Sequence, residues 1–374
     1  MSMIYDDVVW VDFDTLENFM VDVFKALGVP EDDAKICANV LITSDKRGID
    51  SHGIGRLKPI YVERIRAGIQ NPVTHFEVVR ETPTTAVVDG HHGMGHVIGY
   101  RAMKLAINKA KEYGMGMVAV RNSTHYGIAG YYVLMAVEEG MIGITGTNAR
   151  PSIAPTFGVE PMLGTNPLTF GMPTDEEFPF VLDCATSVSQ RGKIEVYARA
   201  GKEIPGGWVI GADGNTRTDT LQILEDLKTG KAALVPLGGI GEETAGYKGY
   251  GYATVVEILS AALQGGAFLK MLSGFDENGS RVPYKLGHFF IAINIEAFTD
   301  LENFKRIAGD ILRALRGSKK APGAERIYTA GEKEYLAWLE RKNKGAPLND
   351  VLRRQLTQLR DELNLSQYVF PWEK

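Results

Sequence analysis

The stretch MVAVRNSTHYGIAGYYVLMAVEEGMIGIT, Met117–Thr145, decides the fold class. Met117–Val120 is a short apolar run with strand character, Tyr131–Glu139 has helical spacing, and Ile142–Thr145 is a second strand run. Strand, loop, helix and strand at this spacing imply an α/β layer with some parallel pairing. The same alternation continues outward. Thr85–Val88 reads as a strand, Tyr100–Tyr113 as a helix, Phe180–Leu182 as a strand, Thr220–Lys228 as a helix, Thr254–Leu263 as a buried helix and His288–Ile295 as a strand. Residues 151–235 are rich in Pro, Gly and short strands.

Both ends of the chain read as helices. Asp14 with Glu17 three residues on has the form of a capping box, and Leu16, Phe19, Met20, Val23, Phe24 and Leu27 make an apolar stripe ended by Gly28. Pro30 and the acidic run Glu31–Asp33 open a second helix, with Ala34, Cys37, Val40 and Leu41 on its inward face. Residues 301–316, 332–343 and 348–363 are helical again. The expectation is therefore a mixed-sheet α/β region over 81–299 and a discontinuous helical domain formed by both termini, 1–80 and 300–374.

Composition narrows the function. The chain has 374 residues, 44% hydrophobic, with 41 basic and 46 acidic side chains. That balance argues against nucleic acid as a partner, and the small net charge of −5 with plentiful aromatics argues against disorder. The most apolar stretch, Ala253–Leu272, carries Glu257, Gln264 and Lys270 and is no clean membrane span. The first ten residues lack the basic and apolar regions of a signal peptide, and two distant cysteines, Cys37 and Cys184, make no disulfide framework. A reduced, cytoplasmic protein is expected. Glycine, at 42 residues, is in excess and clusters at Gly90–Gly95, Gly238–Gly241 and Gly246–Gly251, as in an enzyme with backbone-lined pockets.

Several segments concentrate reactive side chains. RGIDSHGIGRLKPIYVERIRAG, Arg47–Gly68, places Ser51, His52, Arg56 and Tyr61 within eleven residues. A histidine beside a hydroxyl can move protons near neutral pH, and an arginine fork suits a carboxylate; the plain alternative is that Asp50 and Ser51 cap a helix. NSTHYGIAGYY, Asn122–Tyr132, puts His125 on a loop between a strand and a helix, where α/β sheets place ligands. Ser123 or Thr124 could equally be a simple cap. Arg150 and the turn GTNP, Gly164–Pro167 with Thr165, offer donors or an ordinary turn. DCATSVSQRGK, Asp183–Lys193, follows a strand, and GYKGYG, Gly246–Gly251, sets Lys248 in a flexible loop where it can bind an anion or be solvated.

Familiar signatures are missing. GHHGMG at Gly90–Gly95 has the wrong spacing for a dinucleotide fingerprint, and there is no Walker loop, no HExxH and no G-x-S-x-G elbow. His91, His92 and His96 lie far from both cysteines and from any carboxylate cluster in sequence, so no metal site is expected. Spacing alone reaches an α/β enzyme with a histidine and an anion-binding arginine.

Seven ordered motifs go further: RGIDSHGIGRL, NSTHYGIAGYY, GTNPLTF, DCATSVSQRGK, GGWVIGADGNTRTD, GYKGYGYATVVEIL and GHFFIAIN. With them, nearly the whole chain resembles the malate/L-lactate/ureidoglycolate dehydrogenase family, whose nicotinamide-binding fold is not a Rossmann fold. The resemblance implies hydride transfer between NAD or NADP and a 2-hydroxy or 2-oxo acid, most of all malate/oxaloacetate or lactate/pyruvate, in a homodimer. It implies Ser51, His52, Arg56 and Tyr61 as the substrate-side cluster, and a catalytic set of His125, His52 and Ser51 with His125 as acid–base group and His52 as the alternative. It also implies Thr165 and Lys248 as substrate contacts, Asp183, Cys184, Ala185 and Arg150 at the cofactor, and 81–299 as the cofactor- and substrate-binding region. TAGEKE, Thr329–Glu334, is similar to a P-G-E loop that contacts the dinucleotide, which adds Gly331 and Glu332, although alanine replaces the proline. Lys193 stands where cyclic-imine reductases of the family carry Asp, and Tyr247 where the family commonly has histidine. The competing readings are a cyclic imino-acid reductase, a ureidoglycolate- or sulfolactate-type dehydrogenase, and a metabolite-binding protein without turnover.

Overall fold

The computed structural model describes residues 8–373. The chain begins with β1 (Val9–Val11), α1 (Phe13–Ala26), α2 (Glu31–Lys46) and α3 (Glu63–Arg66). It continues through β2 (Glu77–Glu81), β3 (Thr85–Asp89), α4 (Gly95–Tyr113), β4 (Met115–Ser123), α5 (Gly130–Glu138) and β5 (Met141–Thr147). Then come β6 (Leu168–Met172), β7 (Phe180–Cys184), α6 (Arg191–Arg199), β8 (Val209–Gly211), α7 (Thr220–Thr229), β9 (Ala232–Leu234) and α8 (Gly246–Leu259). The last elements are β10 (Leu286–Asn294), α9 (Leu301–Arg316), α10 (Glu332–Arg341), β11 (Ala346–Leu348) and α11 (Asp350–Glu362).

A seven-stranded mixed sheet, ordered β2-β3-β4-β10-β5-β6-β7, is the centre of the structure. Strand β3 runs parallel to β4, joined by the α4 crossover, whereas each other neighbouring pair is antiparallel. The alternation around Met117–Thr145 is there, but β4 and β5 do not touch. β10 lies between them, pairing Phe290 with Val118 on one side and with Thr145 on the other. Helices α4 and α5 cover one face, where Ile98, Met103 and Tyr132 bury against Val118, Val120, Phe290 and Ala292.

The two ends of the chain share a core. β1 pairs antiparallel with β11, and Leu16, Phe19, Val23 and Phe24 of α1 pack with Leu41 of α2, Leu356 and Leu359 of α11, and Phe370. Helix α9 lies elsewhere: Arg313 and Arg316 reach Asp175 and Glu176 between β6 and β7. The first helix starts earlier than its sequence suggests. Asp12, extended at ψ 150°, is the N-cap and accepts from the Thr15 N–H at 2.8 Å. Asp14 falls inside the first turn, and Glu17 accepts from Asn39 Nδ2 on α2.

The expected buried helix at Thr254–Leu263 forms only as far as Leu259, as the last turns of α8, with 260–263 in turns beyond its end, and one of its faces is open. Tyr252, Val255 and Ile258 are about half exposed, a stripe at helical spacing, and Phe268 and Met271 farther along the chain are exposed as well. Apolar side chains read as core because hydropathy records what they avoid, not what covers them. None of the described helices is long and apolar enough to cross a membrane.

Candidate active site

The loop after β4 carries His125, and the start of α4 holds that loop in place. Thr124 Oγ1 accepts from the Gly95 N–H at 2.9 Å and donates to Gly93 O at 2.8 Å. A side chain at position 95 would bring its Cβ within 2.4 Å of the Thr124 and His125 carbonyl oxygens, so glycine alone allows this approach. Beneath the loop, His288 on β10 bridges Ser123 Oγ and Thr147 Oγ1 at 2.7 Å each.

Tyr61 meets His125 from the other side. It sits in the helical turn Leu57–Val62, fully buried, with its ring 4.4 Å from His96 and 6.1 Å from Phe24. Its hydroxyl lies 2.6 Å from His125 Nδ1, and the Gly127 N–H approaches the same nitrogen at 3.3 Å. A backbone N–H can only donate, so Nδ1 accepts and the ring proton resides on Nε2. His52 stacks on His125 with centroids 5.9 Å apart and planes 16° off parallel, and its own Nδ1 lies 2.8 Å from Ser51 Oγ.

Electrostatics keep both rings neutral. Desolvation, with Arg56 adding, pushes His52 down to about 4. Desolvation also holds His125 well below the usual histidine range, helped by His52, Arg64, His96 and Arg56. A bound anion would relax that penalty.

The loop bearing Ser51, His52 and Arg56 is fastened from below. Asp45, at the end of α2, accepts from the Ile54 N–H at 2.8 Å, and burial pushes its carboxyl up to about 8. Gly53 lies so close that a Cβ there would come 1.9 Å from Asp45 Oδ1. Arg341 of α10 donates to Asp45 O at 2.8 Å and to both Asp50 oxygens. A C-terminal helix thus fixes an N-terminal loop. Arg56 Nε donates to Ser51 O, and Gly192, in the first turn of α6, lies against its guanidinium, 3.5 Å from a Cβ position to Nη2. Gln190, the N-cap of α6, places no side-chain cap on that turn, so an arginine fork and helix N–H donors face the same region.

The expected cofactor residues gather around β7. Asp183 Oδ2 accepts from the Gly130 N–H at 2.7 Å and Oδ1 from Thr169 Oγ1 at 3.1 Å, so this carboxylate braces α5 against the sheet; burial raises its pKa. Cys184 and Ala185 are half-buried beside it. Gly331, at φ +93°, presses on Pro179 O, and Glu332 is buried, accepting from the Thr329 N–H and pairing with Arg326. Both therefore shape the loop before α10. Thr165 is half-buried, its carbonyl accepting from Thr186 N at 2.9 Å. Arg150 and Lys248 are exposed, and no hydrogen bond or ion pair among the described residues joins either to His52 or His125.

Two arginines here escape a reading of the sequence. Arg64, one turn beyond Tyr61, stands over the Tyr284 ring at 4.3 Å and close enough to His125 to oppose its protonation. Arg47 is close to Asp183 and Glu334, and its buried Nε has no hydrogen-bond partner among the described residues. Arg64 had a signal, the helical spacing from Tyr61; Arg47 had none, because its neighbours come from β7 and α10.

Comparison with known proteins places the chain as a whole. Residues 11–357 match the family described as malate/L-lactate dehydrogenase. The chain is 48% identical over 354 residues to malate dehydrogenase of Pyrococcus horikoshii, covering 95% of each chain. It is 41% identical to L-sulfolactate dehydrogenase of Methanocaldococcus jannaschii over 94% of this chain and 97% of that one. The crystal structure of malate dehydrogenase from Entamoeba histolytica superposes with a TM-score of 0.94 at 47% identity, covering 98% of this chain and all of the other.

Proposed function

The chain belongs to the malate/L-lactate dehydrogenase family, and from that premise we propose that it interconverts a small 2-hydroxy acid and its 2-oxo acid with NAD or NADP, with malate and oxaloacetate as the leading pair. The observation that carries this reading is His125, pinned at Nδ1 by Tyr61, stacked on His52 and flanked by Arg56 and Arg64. Two cations beside one proton-carrying ring suit an acid with a second anionic group better than lactate. The M. jannaschii relative is likewise named for an acid bearing a second anion.

In this reading Arg56 and the first turn of α6 hold the C1 carboxylate, and Arg64 the second anion. His125 takes the hydroxyl proton at Nε2 during oxidation and returns it during reduction. Tyr61 makes this possible because its hydroxyl can donate to Nδ1 or accept from it, so the ring keeps its remaining proton on either nitrogen. Gly127, at 3.3 Å, holds the weaker bond and loses little in the exchange. Ser51 orients His52, and His52 with Tyr61 fixes the plane of His125.

A nicotinamide, when bound, supplies or takes the hydride at C2. The residues present fit such a group: Arg47 keeps a buried, unpartnered Nε–H beside β7, where Asp183, Cys184, Ala185, Gly331 and Glu332 converge. Thr165, Lys248 and Arg150 complete the proposed substrate and cofactor contacts, on a non-Rossmann sheet (81–299) joined to a helical domain of both termini (1–80 and 300–374), from whose core α9 stands apart against the β6–β7 connection. We read the exposed stripe Tyr252, Val255 and Ile258 as the seat of a homodimer contact, since apolar patches of this kind mark association surfaces, and the cytoplasm as the compartment. Lys193 rests its ammonium over the Trp208 ring at 4.6 Å and brings no carboxylate to Ser51 and His52, which favours the hydroxy acid over a cyclic imine.

The test is NADH and NADPH absorbance with oxaloacetate, pyruvate, 2-oxoglutarate, sulfopyruvate and a cyclic imine. Rapid oxidation with oxaloacetate is expected. Turnover of the cyclic imine alone, or cofactor binding with no turnover of any acceptor, overturns the reading.

A further inference from the structure

We propose that His75, Glu77 and His91 form a binding site for one divalent transition-metal ion of the zinc class. The site stands apart from the dehydrogenase chemistry and does not depend on it.

The β2–β3 hairpin assembles it. In that pair Glu77 lies opposite Asp89, at the start of one strand and the end of the other. Beyond Asp89 the chain turns back sharply: His91 adopts φ +45°, and its N–H donates to Asp89 Oδ1 at 3.0 Å. This turn carries the His91 ring over Glu77, with Nε2 2.7 Å from Oε2. His75 precedes Glu77 by two residues and stacks its ring on His91, centroids 4.5 Å apart and planes 30° off parallel. One ligand atom from each of the three lies within 4.8 Å of the others. Zinc–nitrogen and zinc–oxygen bonds of about 2.0–2.2 Å place ligand atoms roughly 3–3.5 Å apart, a closure that small side-chain rotations supply.

The donor set selects the ion. Two imidazoles and one carboxylate suit zinc, cobalt and nickel, whereas magnesium and calcium prefer oxygen throughout. Asp89 adds a supporting feature. Its Oδ1 lies 3.8 Å from His91 Nδ1, the side of the ring away from the Glu77 contact, where a ring rotation that shortens this distance would complete a carboxylate–histidine–metal relay. The neighbouring histidines take no part. His96 is buried against Tyr61, and His92 does not fall within the cluster that brings His75, Glu77 and His91 together. An ion bound here ties the edge strand β2 to the turn 90–94, which itself holds the His125 loop through His92 N to Asn122 O at 2.7 Å and Thr124 Oγ1 to Gly93 O.

The test uses the untagged full-length chain, stripped with chelator and titrated separately with Zn2+ by calorimetry and Co2+ by visible absorption. One ion per chain is expected, with a d–d band for cobalt. His75→Ala and Glu77→Gln change exposed side chains, so the fold should persist, as checked by an unchanged metal-free melting temperature. Each variant should bind at least 10–100-fold more weakly, the loss that even an outer-shell partner brings, and lose the cobalt band. Absence of saturable binding below millimolar metal overturns the proposal, as does equal affinity in the wild type and both variants.

Discussion

Tyr61→Phe tests the acid–base assignment with little else disturbed. Phenylalanine keeps the buried ring and its packing on His96 and Phe24, and removes only the hydroxyl 2.6 Å from His125 Nδ1. That hydroxyl matters most when the ring is charged, because it is then the acceptor for Nδ1–H. Gly127, a donor, cannot replace it. A hydrogen bond to a charged partner contributes about 1.5–3 kcal/mol, which at 1.36 kcal/mol per decade is a fall of roughly 10- to 150-fold in kcat. The apparent pKa of kcat should also drop, since the imidazolium loses an acceptor. Steady-state rates of NAD(P)H oxidation with oxaloacetate from pH 5.5 to 9 measure both. A kcat within about threefold of wild type and an unmoved pH profile would refute the idea that Tyr61 poises His125.

Four further outcomes follow from the same geometry. His125→Ala should lower kcat by about 10²–10⁴-fold, the range of general acid–base assistance; a loss below tenfold removes His125 from the role. Arg56→Lys should raise the KM for the acid about tenfold or more, because an ammonium cannot replace the fork; an unchanged KM removes the clamp. Gly95→Ala drives a Cβ into the Thr124 and His125 carbonyl oxygens and should cost about 1–3 kcal/mol of stability together with activity, read from urea melts and kcat. Finally, burial pushes His96 down to about 3 from an unfolded value of 6.5, so the unfolded chain takes its proton first. This stability is intact above pH 6.5 and is lost as the pH falls toward 3, by about 2 kcal/mol at pH 5. The stability difference between pH 7.5 and 5 should therefore shrink by about that amount in His96→Phe. A comparison of variants is needed because Asp45, raised to about 8, titrates with the opposite sign.

Elements with local periodicity were legible from residues alone. The strand at Met117–Val120, the helix after His125 and the terminal helices all obey spacings of two or 3.6 residues, which any short window displays. The nearness of Ser51, His52, Arg56 and Tyr61 is legible for a similar reason: they fall within one loop and its following turn, so it is largely local. His125 drew notice from its strand–loop–helix setting, but its contact with Tyr61 spans 64 residues. A neutral, desolvated His125 is not legible, since its pKa depends on burial and on the approach of His52 and Arg64 from the Arg47–Gly68 segment and of His96 from α4.

Residues close in the chain, together with the ordered motifs, are enough for an α/β chain with helical ends, a histidine and arginine cluster, and a family resemblance. Long-range packing adds that β10 separates β4 from β5, that Arg341 fastens the Ser51–Arg56 loop from α10, that α8 leaves an apolar stripe open, and that His75 and Glu77 join His91. The first two are pairings between distant segments, the third is a face that no other segment covers, and the last rests on the register of the β2–β3 hairpin. Strand order, hairpin register and burial emerge from the packing of the whole chain, and no local window carries them.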